Sequence, residues 1–145
     1  MIRVLLVDDE APIRRILRRM VAGDGIEILE AETAESALDV MAQTPAGVAF
    51  VDVQMPGKGG VWLASELRRL YPTTAMVLAT SVTDVPPDAS MRSGITSYLL
   101  KPFSPNDVHK ALAAAMKWHE DTEKSGPKHE DSIDTIQHWL DALDH

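Results

Sequence analysis

Four short apolar runs, each closing on polar residues, constrain this chain more than anything else in it. Val4-Leu5-Leu6-Val7 runs into Asp8-Asp9, Val48-Ala49-Phe50-Val51 into Asp52, Met76-Val77-Leu78-Ala79 into Thr80-Ser81, and Tyr98-Leu99-Leu100 into Lys101-Pro102. Runs of this length, aliphatic or β-branched and separated by helix-length segments, are the pattern of strands buried on both faces of a parallel sheet. Parallel strands carry their carboxyl ends to one edge, where ligands of open α/β sheets bind. The pattern therefore predicts that the carboxylates of Asp8, Asp9 and Asp52, the Thr80 hydroxyl and the Lys101 ammonium converge on one crevice.

The intervening segments supply the other layers. Residues 12–21 put Ile13, Ile16, Leu17 and Met20 on one helical face and Arg14, Arg15, Arg18 and Arg19 on the other. Residues 26–31 read as a further strand, 34–43 as a helix with an Ala37, Leu38, Met41 stripe, 54–60 as a loop and 61–70 as a helix stopped before Pro72. Pro86-Pro87 and Gly94 leave room for only a short helix around 88–93. Ser104 or Asn106 can cap the last core helix, with Val108, Leu112, Ala115 and Met116 facing inward. The expected fold class is α/β, a doubly wound five-stranded parallel sheet with five helices and a short C-terminal helical tail. One domain is expected over residues 1–119 and an acidic linker over 120–131. An amphipathic helix over 132–145 would carry Ile133, Ile136, Trp139, Leu140 and Leu143.

Charge bears on partners. The net charge is −8, and residues 119–145 hold eight acids against two bases, whereas the preceding residues are nearly balanced. An acidic tail is repelled by phosphate backbones, so no direct nucleic-acid binding is expected. The chain has no cysteine, which excludes disulfides and Cys-based zinc sites. No run approaches a membrane span and the start goes directly into a strand, so the expectation is a cytoplasmic protein with no membrane contact.

Three clustered carboxylates are a natural oxygen site for Mg²⁺, and without a cation they repel one another. An acyl phosphate on Asp52 would need what Thr80 and Lys101 offer, a donor and a cation for its oxygens, with the Asp52 carboxylate as nucleophile. Val7-Asp8-Asp9-Glu10, the run ending in Asp52 with Met55-Pro56-Gly57 after it, Thr80-Ser81, and Gly94 followed by Tyr98-Leu99-Leu100-Lys101-Pro102-Phe103 together resemble the receiver domain of two-component response regulators, whose fold is flavodoxin-like. The resemblance covers residues 1 to 119.

It implies a signalling switch in which Asp52 accepts a phosphoryl group from a histidine kinase or a histidine phosphotransfer protein. Asp9, Asp52 and the Gln54 backbone carbonyl would hold Mg²⁺, with Asp8 acting through water. Lys101 would contact the phosphoryl group, its bond to Pro102 would be cis, and Thr80 and Tyr98 would move as the switch. The chain would not be an enzyme beyond phosphorylating and dephosphorylating itself. Gln54 and Val82 stand at the two positions that tune dephosphorylation, and valine cannot hydrogen-bond an attacking water, which implies a long-lived phosphorylated state.

The chain also departs from the pattern. It is one residue short between Thr80 and Lys101, so the short helix after Thr80, and dimerisation through the face it usually builds, are expected to be altered. Gly59 stands where relatives carry an Asp-like residue, which predicts a weaker cap and a looser loop. The arginine stripe reads as a solvated face or as a dock for an acidic kinase surface. The tail would fold back, pair with a second copy as a homodimer, or begin an output module. Two other readings are an aspartyl-nucleophile phosphohydrolase, against which Gln54 occupies the usual acid/base position, and a non-phosphorylated scaffold.

Overall fold

In the computed structural model, residues 1–81 and 94–125 are described. Five parallel strands, β1 (Ile2–Val7), β2 (Ile26–Ala31), β3 (Val48–Asp52), β4 (Ala75–Thr80) and β5 (Ile95–Leu100), lie in the order β2-β1-β3-β4-β5. The helices among the described residues are α1 (Ala11–Val21), α2 (Ala34–Gln43), α3 (Gly59–Leu70) and α4 (Pro105–Ser125). The strand order reverses direction between β1 and β3, which opens a crevice above their carboxyl ends.

Side-chain alternation sorts the central strands into two cores. Val4 and Leu6, Val48 and Phe50, and Ala75, Val77 and Ala79 pack with Leu17 and Val21 of α1 and Val108, Ala111, Leu112 and Ala115 of α4. Leu5 and Val7, Ala49 and Val51, and Met76 and Leu78 pack on the opposite side with Ala34, Ala37 and Met41 of α2 and Leu63, Ala64 and Leu67 of α3. Both faces of β1, β3 and β4 are thus buried, which is why those strands read as unbroken apolar runs. The small α2 residues Ala34 and Ala37 let that helix lie close to the sheet, and a Thr33–Ser36 capping box starts it.

Several expectations are corrected. Ile16, assigned to the buried face of α1, is 42% exposed, because the contact stripe runs through Ile13, Leu17, Met20 and Val21. Gly60, read as loop, lies in the first turn of α3. The linker expected from Glu120 is helical as far as Ser125. The physical reason is local bonding that a low apolar content hides: His119 Nδ1 donates to the Thr73 carbonyl at 2.6 Å, and its Nε2 lies 3.0 Å from Glu123. Lys117 pairs with Asp121 one turn on, and Thr122 is buried. Ser104, the expected cap of α4, accepts from the Asp107 N–H at 3.1 Å. The short helix expected around 88–93, Val82, Pro86-Pro87 and the stripe from Ile133 to Leu143 lie outside the described residues.

Candidate phosphoacceptor and metal site

Each residue at the crevice is delivered by a strand end. Asp52 closes β3 and is 3% exposed, Asp8 follows β1 and is 1% exposed, and Asp9 beside it is exposed to solvent. Ligand oxygens of all three lie within 4.8 Å of one another. Thr80, buried, closes β4, where Ala79 pairs with Asp52 in register. Lys101 follows β5, its N–H donating to the Thr80 carbonyl at 3.0 Å, and the Lys101–Pro102 bond is cis.

The ammonium of Lys101 bridges the two buried acids, 3.1 Å from Asp8 Oδ2 and 3.3 Å from Asp52 Oδ1. The other Asp8 oxygen accepts from the Glu10 N–H at 2.9 Å, and Asp52 Oδ1 also accepts from the Gln54 N–H at 3.1 Å. Three carboxylates against one ammonium leave an excess of negative charge, and a divalent cation with oxygen ligands suits both the charge and the donor set. The residues present therefore fit Mg²⁺.

Burial pushes the Asp52 carboxyl above the ordinary aspartate range, aided by the facing Asp8 charge and opposed by the Gln54 N–H and Lys101. A carboxyl raised in the folded state adds stability that is present below the unfolded-state pKa and lost as pH rises through the folded value. Asp52→Asn keeps the acceptor for Gln54 but cannot ionise. Without Mg²⁺ at pH 7 this variant is expected to melt a few degrees above wild type, and the gap should close as pH falls toward 4. Thermal unfolding of both proteins across that pH range checks it, and a variant melting below wild type at pH 7 would contradict a carboxyl raised by burial and by the Asp8 charge.

Tyr98, on the edge strand β5, is half-buried against the α2/α3 core, and burial raises its pKa so that the phenol stays neutral. Gln54 reaches sideways, its Oε1 accepting from the Ser81 hydroxyl at 2.6 Å and from the Ser81 N–H at 3.3 Å. Val82 lies outside the described residues. α3 begins at Gly59 behind Lys58, which makes no side-chain cap, and both Gly57 and Gly59 take a φ of +77°.

Sequence reading missed three contacts around the site. Arg14 donates to the Asp8 carbonyl at 2.6 Å and, with Arg18, clamps Glu30 at 3.1 and 2.8 Å. Burial alone would raise the Glu30 pKa, but Arg18 and Arg14 outweigh it and hold it below the ordinary glutamate value. Gly60 packs so tightly beneath β3 that a Cβ there would fall on the Asp52 carbonyl oxygen. The arginine stripe was visible in sequence, but its acid partner, more than ten residues away on β2, was not.

Comparison with known proteins agrees with this geometry. The family model for the response regulator receiver domain matches residues 4–113. The chain is 31% identical over 127 residues to the KDP operon transcriptional regulatory protein KdpE of Escherichia coli (strain K12), covering 88% of this chain and 56% of that protein. It is 29% identical over 133 residues to the transcriptional regulatory protein SrrA of Staphylococcus aureus (strain NCTC 8325 / PS 47), covering 90% and 55%. The chain thus spans little more than half the length of these curated relatives. Among solved structures, a response regulator receiver domain protein from Clostridium thermocellum superposes with a TM-score of 0.71 at 25% identity, over 83% of this chain and 98% of that one. The matched span contains every strand end that meets at the crevice, and the chain belongs to the response regulator receiver domain family.

Proposed function

We propose that this chain is a phosphoacceptor switch whose nucleophile is Asp52. The observation that carries the reading is the Lys101 ammonium held between two buried carboxylates, Asp8 and Asp52, with Asp9 beside them. A structural domain gains little from crowding acids out of water, whereas a group-transfer site needs them.

In the proposed reaction a carboxylate oxygen of Asp52 attacks phosphorus, and the bond from phosphorus to the donor's histidine nitrogen breaks. The electron pair stays on that nitrogen. Asp9, Asp52 and the Gln54 backbone carbonyl would hold Mg²⁺. Both Asp8 oxygens are already engaged by Lys101 and Glu10, which suits contact through water. When bound, the ion would neutralise charge on the phosphoryl oxygens. Lys101 would exchange its contact with Asp52 for the new phosphoryl oxygens, Thr80 would turn toward them, and Tyr98 would follow inward. Self-phosphorylation and self-dephosphorylation are then the only chemistry the chain performs.

A histidine kinase or histidine phosphotransfer protein is the proposed donor. Of the four arginines on α1, Arg14 and Arg18 are bound to Glu30, so the exposed Arg15 and Arg19 are the better candidates for meeting an acidic partner. The proposed compartment is the cytoplasm, and no helix among the described residues is long and apolar enough to cross a membrane. Residues 1–119 with the extension of α4 to Ser125 form the proposed receiver unit.

The test is intact mass after incubation with Mg²⁺ and a small acyl-phosphate donor. Wild type is expected to gain one labile phosphoryl group, and Asp52→Ala none. An adduct that persists in Asp52→Ala, or none on folded wild type that binds Mg²⁺, would contradict the reading.

A further inference from the structure

The hydrogen bonds between Gln54 and Ser81 tie together the segments that follow two adjacent strands of the site. Gln54 lies two residues past Asp52, and its own N–H donates to Asp52 Oδ1. Its side-chain carbonyl takes both the hydroxyl and the N–H of Ser81, the residue after Thr80. The orientation of the amide is unambiguous, because a backbone N–H can only donate and so must face Oε1 rather than the NH₂ group.

This has a chemical consequence at Asp52. Hydrolysis of an acyl phosphate there needs a water whose oxygen attacks phosphorus, breaks the bond to the Asp52 oxygen and returns the electron pair to the carboxylate. The protons of that water pass to the released phosphate and to solvent. A glutamine carbonyl beside such a site can orient the water by accepting one of its hydrogens. In this chain the carbonyl is already occupied twice, and the NH₂ end that remains cannot accept. We propose that Ser81 is a positioning residue that withholds the Gln54 carbonyl from the attacking water and so lengthens the life of the phosphorylated state. The inference rests on the reading of Asp52 as phosphoacceptor and adds to it a residue that sets how fast the signal decays.

The experiment loads the full chain with a small acyl phosphate and Mg²⁺, removes the donor by desalting, and follows loss of the adduct by intact mass. Ser81→Ala is expected to decay about fivefold faster than wild type, the rate equivalent of about one net hydrogen bond. Ser81→Thr, which keeps the hydroxyl, should restore the slow decay, and in a Gln54→Ala background Ser81→Ala should change nothing. Wild-type decay in Ser81→Ala, or an equal acceleration in the Gln54→Ala background, would overturn the proposal while leaving the phosphoacceptor reading intact. If wild type takes no adduct, the phosphoacceptor reading fails and this inference with it.

Discussion

Replacing Lys101 with methionine is expected to slow phosphorylation of Asp52 about 10²–10³-fold, the usual consequence of removing one preorganised charge from a group-transfer site. Burial alone would lower the Lys101 pKa, but the facing Asp52 and Asp8 carboxylates outweigh it and hold the ammonium above its ordinary value. A raised lysine contributes stability that is fully present below its unfolded pKa, near 10.5, and is lost as pH rises through the folded value. At pH 7 that whole contribution disappears in the variant. Asp8 and Asp52 then face each other with no ammonium between them, and the Asp52 carboxyl rises further. The stability loss should fall short of the roughly 3–5 kcal/mol of a fully buried pair, because Lys101 is itself 20% exposed and water can follow. Saturating Mg²⁺ is expected to recover most of the melting temperature but not the rate, since it supplies charge to the carboxylates and not the lost contact to the phosphoryl group. Loading kinetics by intact mass, with melting curves at both Mg²⁺ levels, separate the two effects. A loading rate within tenfold of wild type would remove Lys101 from the proposed reaction.

Alanine at Gly60 is expected to damage the fold more than any other single methyl added near the site. The new Cβ would fall on the Asp52 carbonyl oxygen and lie 2.7 Å from Val53 Cα, both backbone atoms that cannot rotate aside. Overpacking typically costs about 1–3 kcal/mol, and the upper end applies where backbone must shift. Gly59 provides the contrast. There φ is +77° with nothing within 4 Å of a Cβ, so alanine meets only the left-handed backbone penalty of about 1–2 kcal/mol. The Gly60 variant must also push α3 away from β3 and carry Asp52 with it, so its Mg²⁺ affinity should fall together with its urea midpoint. Urea unfolding of both variants, with Mg²⁺ titration of the folded protein, tests this. Equal midpoints for Gly59→Ala and Gly60→Ala would mean that the close approach does not constrain the corner.

The strands and the converging acids were legible in sequence for one physical reason. A parallel strand buried on both sides must be apolar along its core, so its carboxyl end is marked by the polar residue that follows, and Asp8, Asp52 and Thr80 are those residues; on the edge strand β5 only the short run Tyr98-Leu99-Leu100 before Lys101 carried that signal. Helix faces were less legible. Ile16 fits the 3.6-residue period yet stands exposed, because the stripe that meets the core runs through Ile13, Leu17, Met20 and Val21, and the period alone does not decide which flank is covered. Residues 120–125 look like a linker by composition, and the pairing of His119 with Thr73 and Glu123, the Lys117–Asp121 pair and the burial of Thr122 carry the helix on.

What the sequence by itself determined, then, is the list of chemical groups and the sheet edge to which they go, since both follow from burial and alternation along single strands. The tertiary structure alone decided which groups touch. Lys101 reaches Asp8 across 93 residues of chain, Glu30 receives two arginines of α1, Ser81 holds Gln54, and Gly60 admits the Asp52 carbonyl. Those contacts depend on the relative height of neighbouring strand ends and on distances of closest approach between elements, quantities set by packing of the whole core and written in no local stretch of residues.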